Sequence, residues 1–220
     1  MQKKSNVKTA KGRKISSTKW LYRHINDPYV GMANDQGYRS RAAFKLIEIN
    51  DKFKILSSAK KDCAVIDLGC APGSWLQVLS KKLNPTCKII GVDLKEIDCS
   101  DISKAIAITG DFTDPKTLER VQEEASEKTI NLVVSDMAPN ACGDKQTDHI
   151  RISVLANEVL DFVAESCSKG GNAVIKVIQG NMSQDLNNRA KSMFSKVHWY
   201  KPKASYADSA EIYLVMLGLK

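Results

Sequence analysis

The chain lacks long apolar runs, and no stretch of its 220 residues approaches the roughly 20 that a membrane-spanning helix needs. An apolar segment suited to a secretory signal is also missing from the N-terminus. The six cysteines form no C-x-x-C pair, and the three histidines show no metal-ligand spacing with them. We therefore expect no membrane segment, no metal, no disulfide framework and a reducing, cytoplasmic location.

Acidic residues are absent from the first 23 positions, which carry eight lysines and arginines. Those eight charges equal the whole formal excess of +8, so the rest of the chain is formally neutral. The pattern predicts a basic, flexible arm over residues 1–18 and one domain over residues 19–220. Such an arm is attracted to phosphate backbones, although a solvated tail or an organelle transit peptide would have a similar composition.

Short apolar segments typical of buried strands alternate with segments of helical periodicity. Strands are predicted over residues 64–68, 88–92, 105–108, 132–134, 173–178, 196–199 and 211–217. Helices are predicted over residues 40–50, 74–83, 148–168 and 184–194, with a further helix after residue 114. This order predicts an α/β fold: a seven-stranded, mostly parallel sheet with helices on both faces and an antiparallel last strand.

Three helix ends have recognisable local signals. Ser40 is expected to cap the helix that runs to about residue 50, and Asp114 to cap the helix that begins with Pro115. The pair Gly170-Gly171 is expected to end the long helix before it.

A dinucleotide fingerprint, G-x-G-x-x-G, is also lacking. The first strand is followed instead by Asp67-Leu-Gly-Cys-Ala-Pro-Gly-Ser-Trp75, in which Gly69 and Gly73 allow a ligand close to the backbone. Because Pro72 removes one backbone donor and the second fingerprint glycine is absent, the loop is poorly suited to a pyrophosphate. S-adenosylmethionine, a cation without phosphate, fits better than NAD.

Acidic residues follow several predicted strands: Asp67, Asp93, Asp111 and Asp136. In open sheets of this kind, ligands bind beyond the carboxyl ends of the strands, so these acids should line one crevice. Asp93 is placed to accept the hydroxyls of a ribose, and Asp111 to accept from an adenine amino group. Any one of these acids alone is more often solvated or part of a structural turn. The ordered set favours a nucleoside site.

Lys176 lies in the middle of an apolar, β-branched strand, where an ammonium group is costly to bury. A desolvated lysine with a lowered pKa can act as a general base. Asp136 ends the fourth strand candidate and Glu211 opens the last one, so this pair of carboxylates could flank the lysine. Lys45, on a predicted helix, would by default be a solvated lysine. Alternatively, Lys176 lies on an edge strand with its amine in water, and Asp136 and Glu211 are solvated acids without a catalytic role.

The sequence resembles the FtsJ/RrmJ family of ribose 2′-O-methyltransferases, whose bacterial members act on the large ribosomal subunit. The resemblance rests on seven ordered segments, residues 39–46, 65–75, 92–94, 110–112, 135–140, 174–180 and 211–213. The first of these reads R-S-R-A-A-F-K-L and the fifth S-D-M-A-P-N. Cys70 and Ser74 stand where many relatives have Ala and Gly, and both are small enough for little change.

This resemblance implies a Rossmann-like class I methyltransferase fold and a catalytic tetrad. The family's K-D-K-E set maps onto Lys45, Asp136, Lys176 and Glu211. Its S-adenosylmethionine contacts map onto Gly73, Trp75, Asp93, Asp111 and Asp136. Lys176 would take or steer the proton of a ribose 2′-hydroxyl, with Asp136 and Glu211 orienting it and Lys45 holding the RNA. The implied substrate is a uridine of 23S ribosomal RNA in the large subunit, and we expect a monomer.

Other functions remain open at this point. A 2′-O-methyltransferase for tRNA or an mRNA cap would share the fold and the tetrad. A non-catalytic RNA-binding module could keep the fold alone. A base N-methyltransferase is disfavoured, because the fourth-strand motif is D-M-A-P rather than one resembling D-P-P-Y.

Overall fold

The computed structural model describes residues 15–126, 128–138, 144–179 and 184–220, without the side chains of residues 15, 16, 19, 20, 145, 146, 148 and 149. This part of the chain forms seven α-helices: Ile15–Ile25 (α1), Pro28–Asp35 (α2), Ala43–Phe53 (α3), Ser74–Lys82 (α4), Pro115–Ala125 (α5), Lys145–Ser166 (α6) and Gln184–Met193 (α7). Its strands are Cys63–Leu68 (β1), Lys88–Asp93 (β2), Ala105–Thr109 (β3), Thr129–Ser135 (β4), Cys167–Ile178 (β5), Phe194–Tyr200 (β6) and Glu211–Leu219 (β7). None of the helices described is long and apolar enough to cross a membrane.

The seven strands form one sheet in the order β3-β2-β1-β4-β5-β7-β6. Pairing is parallel from β3 through β5, whereas β7 runs antiparallel to both of its neighbours, β5 and β6. The predicted fold class is therefore confirmed. In the β5–β7 register Lys176 lies opposite Tyr213, and Ile178 lies opposite Glu211. The antiparallel strand thus brings its first residue to the carboxyl end of β5.

Side-chain alternation along the strands divides the core into two layers. On β1, Ala64, Ile66 and Leu68 pack with α5, α6 and α7 on one face of the sheet. Cys63 and Val65 pack with α3 and α4 on the other. These five residues are at most 1% exposed. Each large apolar side chain buried in this way contributes roughly 1.5–3 kcal/mol to folding, which fixes the strand ends in space.

Two helices begin with the same Asp-Pro signal. Asp114 accepts from the backbone of Lys116 ahead of α5, as predicted, and Asp27 accepts from the backbone of Tyr29 ahead of α2. The aspartate satisfies an otherwise unpaired N–H group, and the proline needs none at the first helical position. Helix α2 could therefore have been predicted from residues 27 and 28, although it was not.

Helix α1 begins at Ile15, within the segment predicted to be an arm. Residues 1–14 lie outside the described residues, so the prediction of flexibility is untested there. The division into an arm over residues 1–18 and a domain over residues 19–220 stays a prediction.

The prediction that Ser40 caps the following helix is wrong. Helix α3 begins three residues later, at Ala43, because residues 40–42 form a turn in which the Ala43 N–H donates to the Ser40 carbonyl. The Ser40 hydroxyl accepts from the Ala42 N–H within this turn at 3.2 Å and bonds to the Ser74 hydroxyl at 2.9 Å. It therefore joins the approach to α3 with the start of α4.

The prediction that Gly170-Gly171 ends the long helix is also wrong. Helix α6 ends at Ser166, because Cys167 already has extended backbone angles and begins β5. Both glycines lie inside β5, where its register with β4 shifts, and Gly170 has a φ of +79°. Glycine here accommodates an irregular strand rather than a helix end.

Candidate active site

The loop between β1 and α4 is held tightly against the end of β2. Gly69 has a φ of +75° and Gly73 a φ of +102°, a backbone region that side chains disfavour. A Cβ on Gly69 would overlap the Met137 side chain, and one on Gly73 would come within 2.8 Å of Arg39 Nη1. The Ala71 N–H donates to Asp93 Oδ2 at 2.9 Å. These contacts fix the loop beside the predicted acids.

A cleft of about 660 Å³ opens beyond the carboxyl ends of β1, β2, β3 and β4. This volume lies within the usual range for small-molecule sites, roughly 300–1,000 Å³. Four of the residues predicted to contact a cofactor line it: Gly69, Asp93, Asp111 and Asp136. The three most exposed large apolar residues described, Leu94, Ile150 and Val154, also line it. The cleft therefore combines carboxylates with apolar surface that the described part of the chain leaves exposed.

The two acids at the β2 and β3 ends have fixed orientations. Asp93 Oδ1 accepts from the Lys95 N–H at 2.9 Å, in addition to the bond from the glycine loop. Asp111 Oδ1 accepts from both the backbone N–H and the hydroxyl of Thr113. Held in this way, each carboxylate can accept hydrogen bonds from a polar ligand without reorganising.

Asp67 does not line the cleft and lies beneath it. The residue is 1% exposed, and Oδ2 has no hydrogen-bond partner among the residues that the structure describes. Burial, followed by the charges of Asp136 and Asp93, raises the pKa of Asp67 well above its ordinary value. A buried carboxyl without a compensating cation is most stable in its neutral form.

Replacing Asp67 with asparagine should stabilise the ligand-free protein more at pH 8 than at pH 5. With a folded-state pKa above the unfolded value, about 3.9, aspartate loses stability as the pH rises between those two values. Asparagine does not titrate, so its advantage should grow over that range. Thermal unfolding midpoints at several pH values would measure this, and a pH-independent difference would contradict it.

Gly73 and Trp75 also lie outside the cleft wall. Gly73 precedes α4, and Trp75 is a 3% exposed residue of the core layer that includes α3. Its indole Nε1 donates to the Ala42 carbonyl at 2.8 Å, and its ring centroid lies 6.1 Å from that of Tyr213. A tryptophan between these elements supports the start of α3 and the ring of Tyr213.

The four residues predicted to form a tetrad meet in one connected group. Lys45 Nζ lies 2.8 Å from Glu211 Oε1 and 3.5 Å from Asp136 Oδ2. Lys176 Nζ lies 3.1 Å from Asp136 Oδ1 and also donates to the Asp136 backbone carbonyl. All four side chains are only 10–16% exposed. At such low exposure, charges interact much more strongly than they do in water.

Four different elements supply the tetrad. Lys45 comes from the first turn of α3, Asp136 directly follows β4, Lys176 lies on β5, and Glu211 begins β7. Because Asp136 lines the cleft and contacts both lysines, the tetrad lies at one edge of the cleft. A reactant in the cleft and a second one outside it could therefore meet beside the two amines.

Two further residues belong to this group and were given no role from the sequence. The Tyr213 hydroxyl donates to Asp136 Oδ1 at 2.5 Å and lies 3.2 Å from Glu211 Oε1. The Ser205 hydroxyl donates to Glu211 Oε1 at 2.6 Å. A tyrosine two residues beyond Glu211 in a strand must share its face, which was an available signal. Ser205 lies in a loop and offered none.

The ionisation of two groups in this cluster is shifted. Burial favours a higher pKa for Glu211, but Lys45, Ser205 and Lys176 outweigh it, so the pKa lies below its ordinary value. Burial, together with Asp136 and Glu211, raises the pKa of Tyr213 well above its ordinary value. Glu211 is therefore an anion and Tyr213 a neutral donor at physiological pH.

Comparison with known proteins identifies the class to which this fold and cleft belong. A model of the family described as FtsJ-like methyltransferase matches residues 38–219. A crystal structure described as a ribosomal RNA methyltransferase from Plasmodium falciparum matches with a TM-score of 0.71 and 34% identity. That match covers 83% of this chain and 98% of the other. The protein is a methyltransferase with the Rossmann-like class I fold.

The chain belongs to the FtsJ-like methyltransferase family. A Wolbachia protein (subspecies Brugia malayi) named ribosomal RNA large subunit methyltransferase E is 44% identical over 215 residues. A Gluconobacter oxydans protein of the same name is 42% identical over 215 residues. Each alignment covers 98% of this chain, and they cover 94% and 77% of the relatives. The family resemblance found in the sequence is thereby confirmed.

Proposed function

We propose that this protein transfers a methyl group from S-adenosylmethionine to the 2′-oxygen of a uridine ribose in large-subunit ribosomal RNA. The observation that carries the proposal is the buried group of two amines and two carboxylates at the edge of an acid-lined cleft. Large-subunit ribosomal RNA is proposed as the acceptor because relatives of 42–44% identity are named for it.

The cleft residues fit S-adenosylmethionine, which is a cation with a nucleoside at one end. Asp93 and Asp111 offer oriented acceptors for ribose hydroxyls and an adenine amino group, and Gly69 contributes to the cleft wall beside them. Asp136, in the cleft wall, would place a carboxylate beside the sulfonium. Gly73 and Trp75 would act on the cofactor through the loop and helix that they shape.

When bound, S-adenosylmethionine supplies an electrophilic methyl group and leaves as a neutral thioether. Lys176, held by two contacts to Asp136, is placed to accept the 2′-hydroxyl proton as the oxygen–carbon bond forms. Lys45, held by Glu211, would position the ribose or an adjacent phosphate. Asp136 and Glu211 hold both amines at the cleft edge, so the attacking oxygen would bind with its proton acceptor already in position.

The acceptor is supported by charge as well as by relatives. The acid-free residues 1–23 would gain affinity for RNA by releasing counterions from phosphates. We assign residues 1–18 to this arm and residues 19–220 to the methyltransferase domain. The cysteines described, Cys63, Cys70, Cys87, Cys99 and Cys167, are free thiols. We infer from them a reducing cytosol as the compartment. A monomer is proposed as the working form.

Offering labelled S-adenosylmethionine with different RNAs would test the acceptor. Large ribosomal subunits from cells without this gene should be methylated to about one group per particle, whereas bulk tRNA should remain unlabelled. Subunits from cells that carry the gene are the matched control, because their site should already be filled. Transfer into tRNA alone would contradict the ribosomal assignment while leaving the chemistry intact.

A further inference from the structure

The loop of residues 201–210, between β6 and β7, forms a fixed wall beside the tetrad. The backbone N–H groups of Lys203 and Ala204 donate to the Glu48 carboxylate at 2.6 and 2.9 Å. Arg41 donates to the Ala204 carbonyl, and Ser205 holds Glu211. Glu48 lies on α3, one turn beyond Lys45. The same helix therefore positions both the loop and the tetrad.

Tyr206, in this loop, lies between two arginines. The guanidinium carbons of Arg41 and Arg23 are each 3.6 Å from the centre of its ring. Two guanidinium groups that are both 3.6 Å from one ring centre would overlap on the same face, so they lie on opposite faces. The two guanidinium groups therefore hold the ring plane between them.

The two faces of this ring are held very differently. Arg41 is 14% exposed, and its Nε lies 2.9 Å from the 4% exposed side chain of Asp27. Arg23 is 40% exposed, and its partner Asp208 is 73% exposed. Surface ion pairs of this kind contribute little to stability, whereas a buried pair is costly to break. Arg23 can therefore move away from one face of the ring at little cost, whereas Arg41 stays in contact with the other face.

We propose that the Arg23 face of Tyr206 is a stacking platform for an unpaired base of the RNA, next to the acceptor nucleotide. This rests on the proposed function, which places RNA at the tetrad. Sequence-tolerant binding of single-stranded RNA commonly uses aromatic rings and guanidinium planes as stacking surfaces. A flat guanidinium at 3.6 Å already occupies the position that a base would take. Once displaced, Arg23 would be released to contact a phosphate.

Charges around the platform are compatible with RNA. Of the acids near it, Asp27 faces Arg41, Asp208 faces Arg23, and Glu48 accepts from backbone N–H groups. Each carboxylate is therefore already engaged. Arg23 itself adds a positive charge directly beside the ring.

Kinetics with unmethylated large subunits would test the platform. Tyr206→Leu should raise the KM for subunits by about 5- to 100-fold, the loss expected for one stacked base. It should leave kcat and the Kd for S-adenosylmethionine unchanged. Tyr206→Phe and Tyr206→Trp keep a ring and should retain the wild-type KM. In ribosomal RNA carrying 5-iodouridine, light should crosslink Tyr206, with a higher yield in Arg23→Ala and little in Tyr206→Leu.

Several outcomes would overturn the platform. An unchanged KM in Tyr206→Leu would do so, and so would a loss in Tyr206→Phe as large as that in Tyr206→Leu, since the hydroxyl rather than the ring face would then matter. A wild-type enzyme that crosslinks through Tyr206 but never methylates subunits would instead refute the proposed function alone. Thermal unfolding midpoints close to wild type would show that each variant is folded.

Discussion

Replacing Lys176 with alanine is expected to lower the rate of methyl transfer by about 10²- to 10⁴-fold, the usual contribution of a positioned proton acceptor. The residue lies on β5 with its amine bonded twice to Asp136, and alanine removes the amine without changing the strand. Binding of S-adenosylmethionine should be unaffected, because Lys176 is not part of the cleft wall. Single-turnover rates and calorimetric cofactor binding would measure the two effects separately.

The control is Lys169→Ala, which removes an exposed lysine from the same strand. It should keep the wild-type rate. Equal rates for Lys176→Ala and wild type would contradict the role given to Lys176. A variant that lost cofactor binding along with activity would indicate structural damage instead of a missing base.

The second large effect is expected when Lys176 and Asp136 are changed together. Asp136 accepts from both lysines and from Tyr213, so Asp136→Asn alone should lower the rate by about 10²-fold or more. The double variant should be little slower than the slower single variant. When two residues act as one unit, removing either of them already abolishes most of the contribution of both. Rates of the two single variants and the double variant form the measured cycle.

Asp185→Asn serves as the matched control for this cycle, since Asp185 is an exposed carboxylate on α7. It should combine with Lys176→Ala without coupling. If the rate of the double variant falls by the product of the losses in Asp136→Asn and Lys176→Ala, the two residues act independently. The connected tetrad would then be a structural cluster rather than a catalytic one.

Much of the fold could be predicted from local sequence, because the strands are short, apolar and bounded by loops. The acids at strand ends were predicted to lie together, and Asp93, Asp111 and Asp136 do line one cleft. That prediction needs only the rule that parallel strands end at the same edge of a sheet. The meeting of Lys45 with Glu211, 166 positions later, came from family resemblance, since no local pattern specifies it.

Predictions failed where tertiary contacts override local signals. Ser40 was predicted to cap α3, yet its hydroxyl bonds to that of Ser74, which begins α4. Gly170-Gly171 is typical of a helix C-terminus, yet both residues lie within β5, where its register with β4 shifts. The expected contact of Trp75 with the ligand stays a prediction, and the structure places its ring between the start of α3 and Tyr213.

The position of the transferred methyl on the nucleotide tests the proposed chemistry most directly. Large-subunit RNA labelled from S-adenosylmethionine would be hydrolysed in alkali, which cuts beside a free 2′-hydroxyl and spares a methylated one. Transfer to the ribose predicts that the label appears in one alkali-resistant dinucleotide whose first residue is a uridine. Label recovered in single nucleotides methylated on the base would contradict an amine that accepts a 2′-hydroxyl proton.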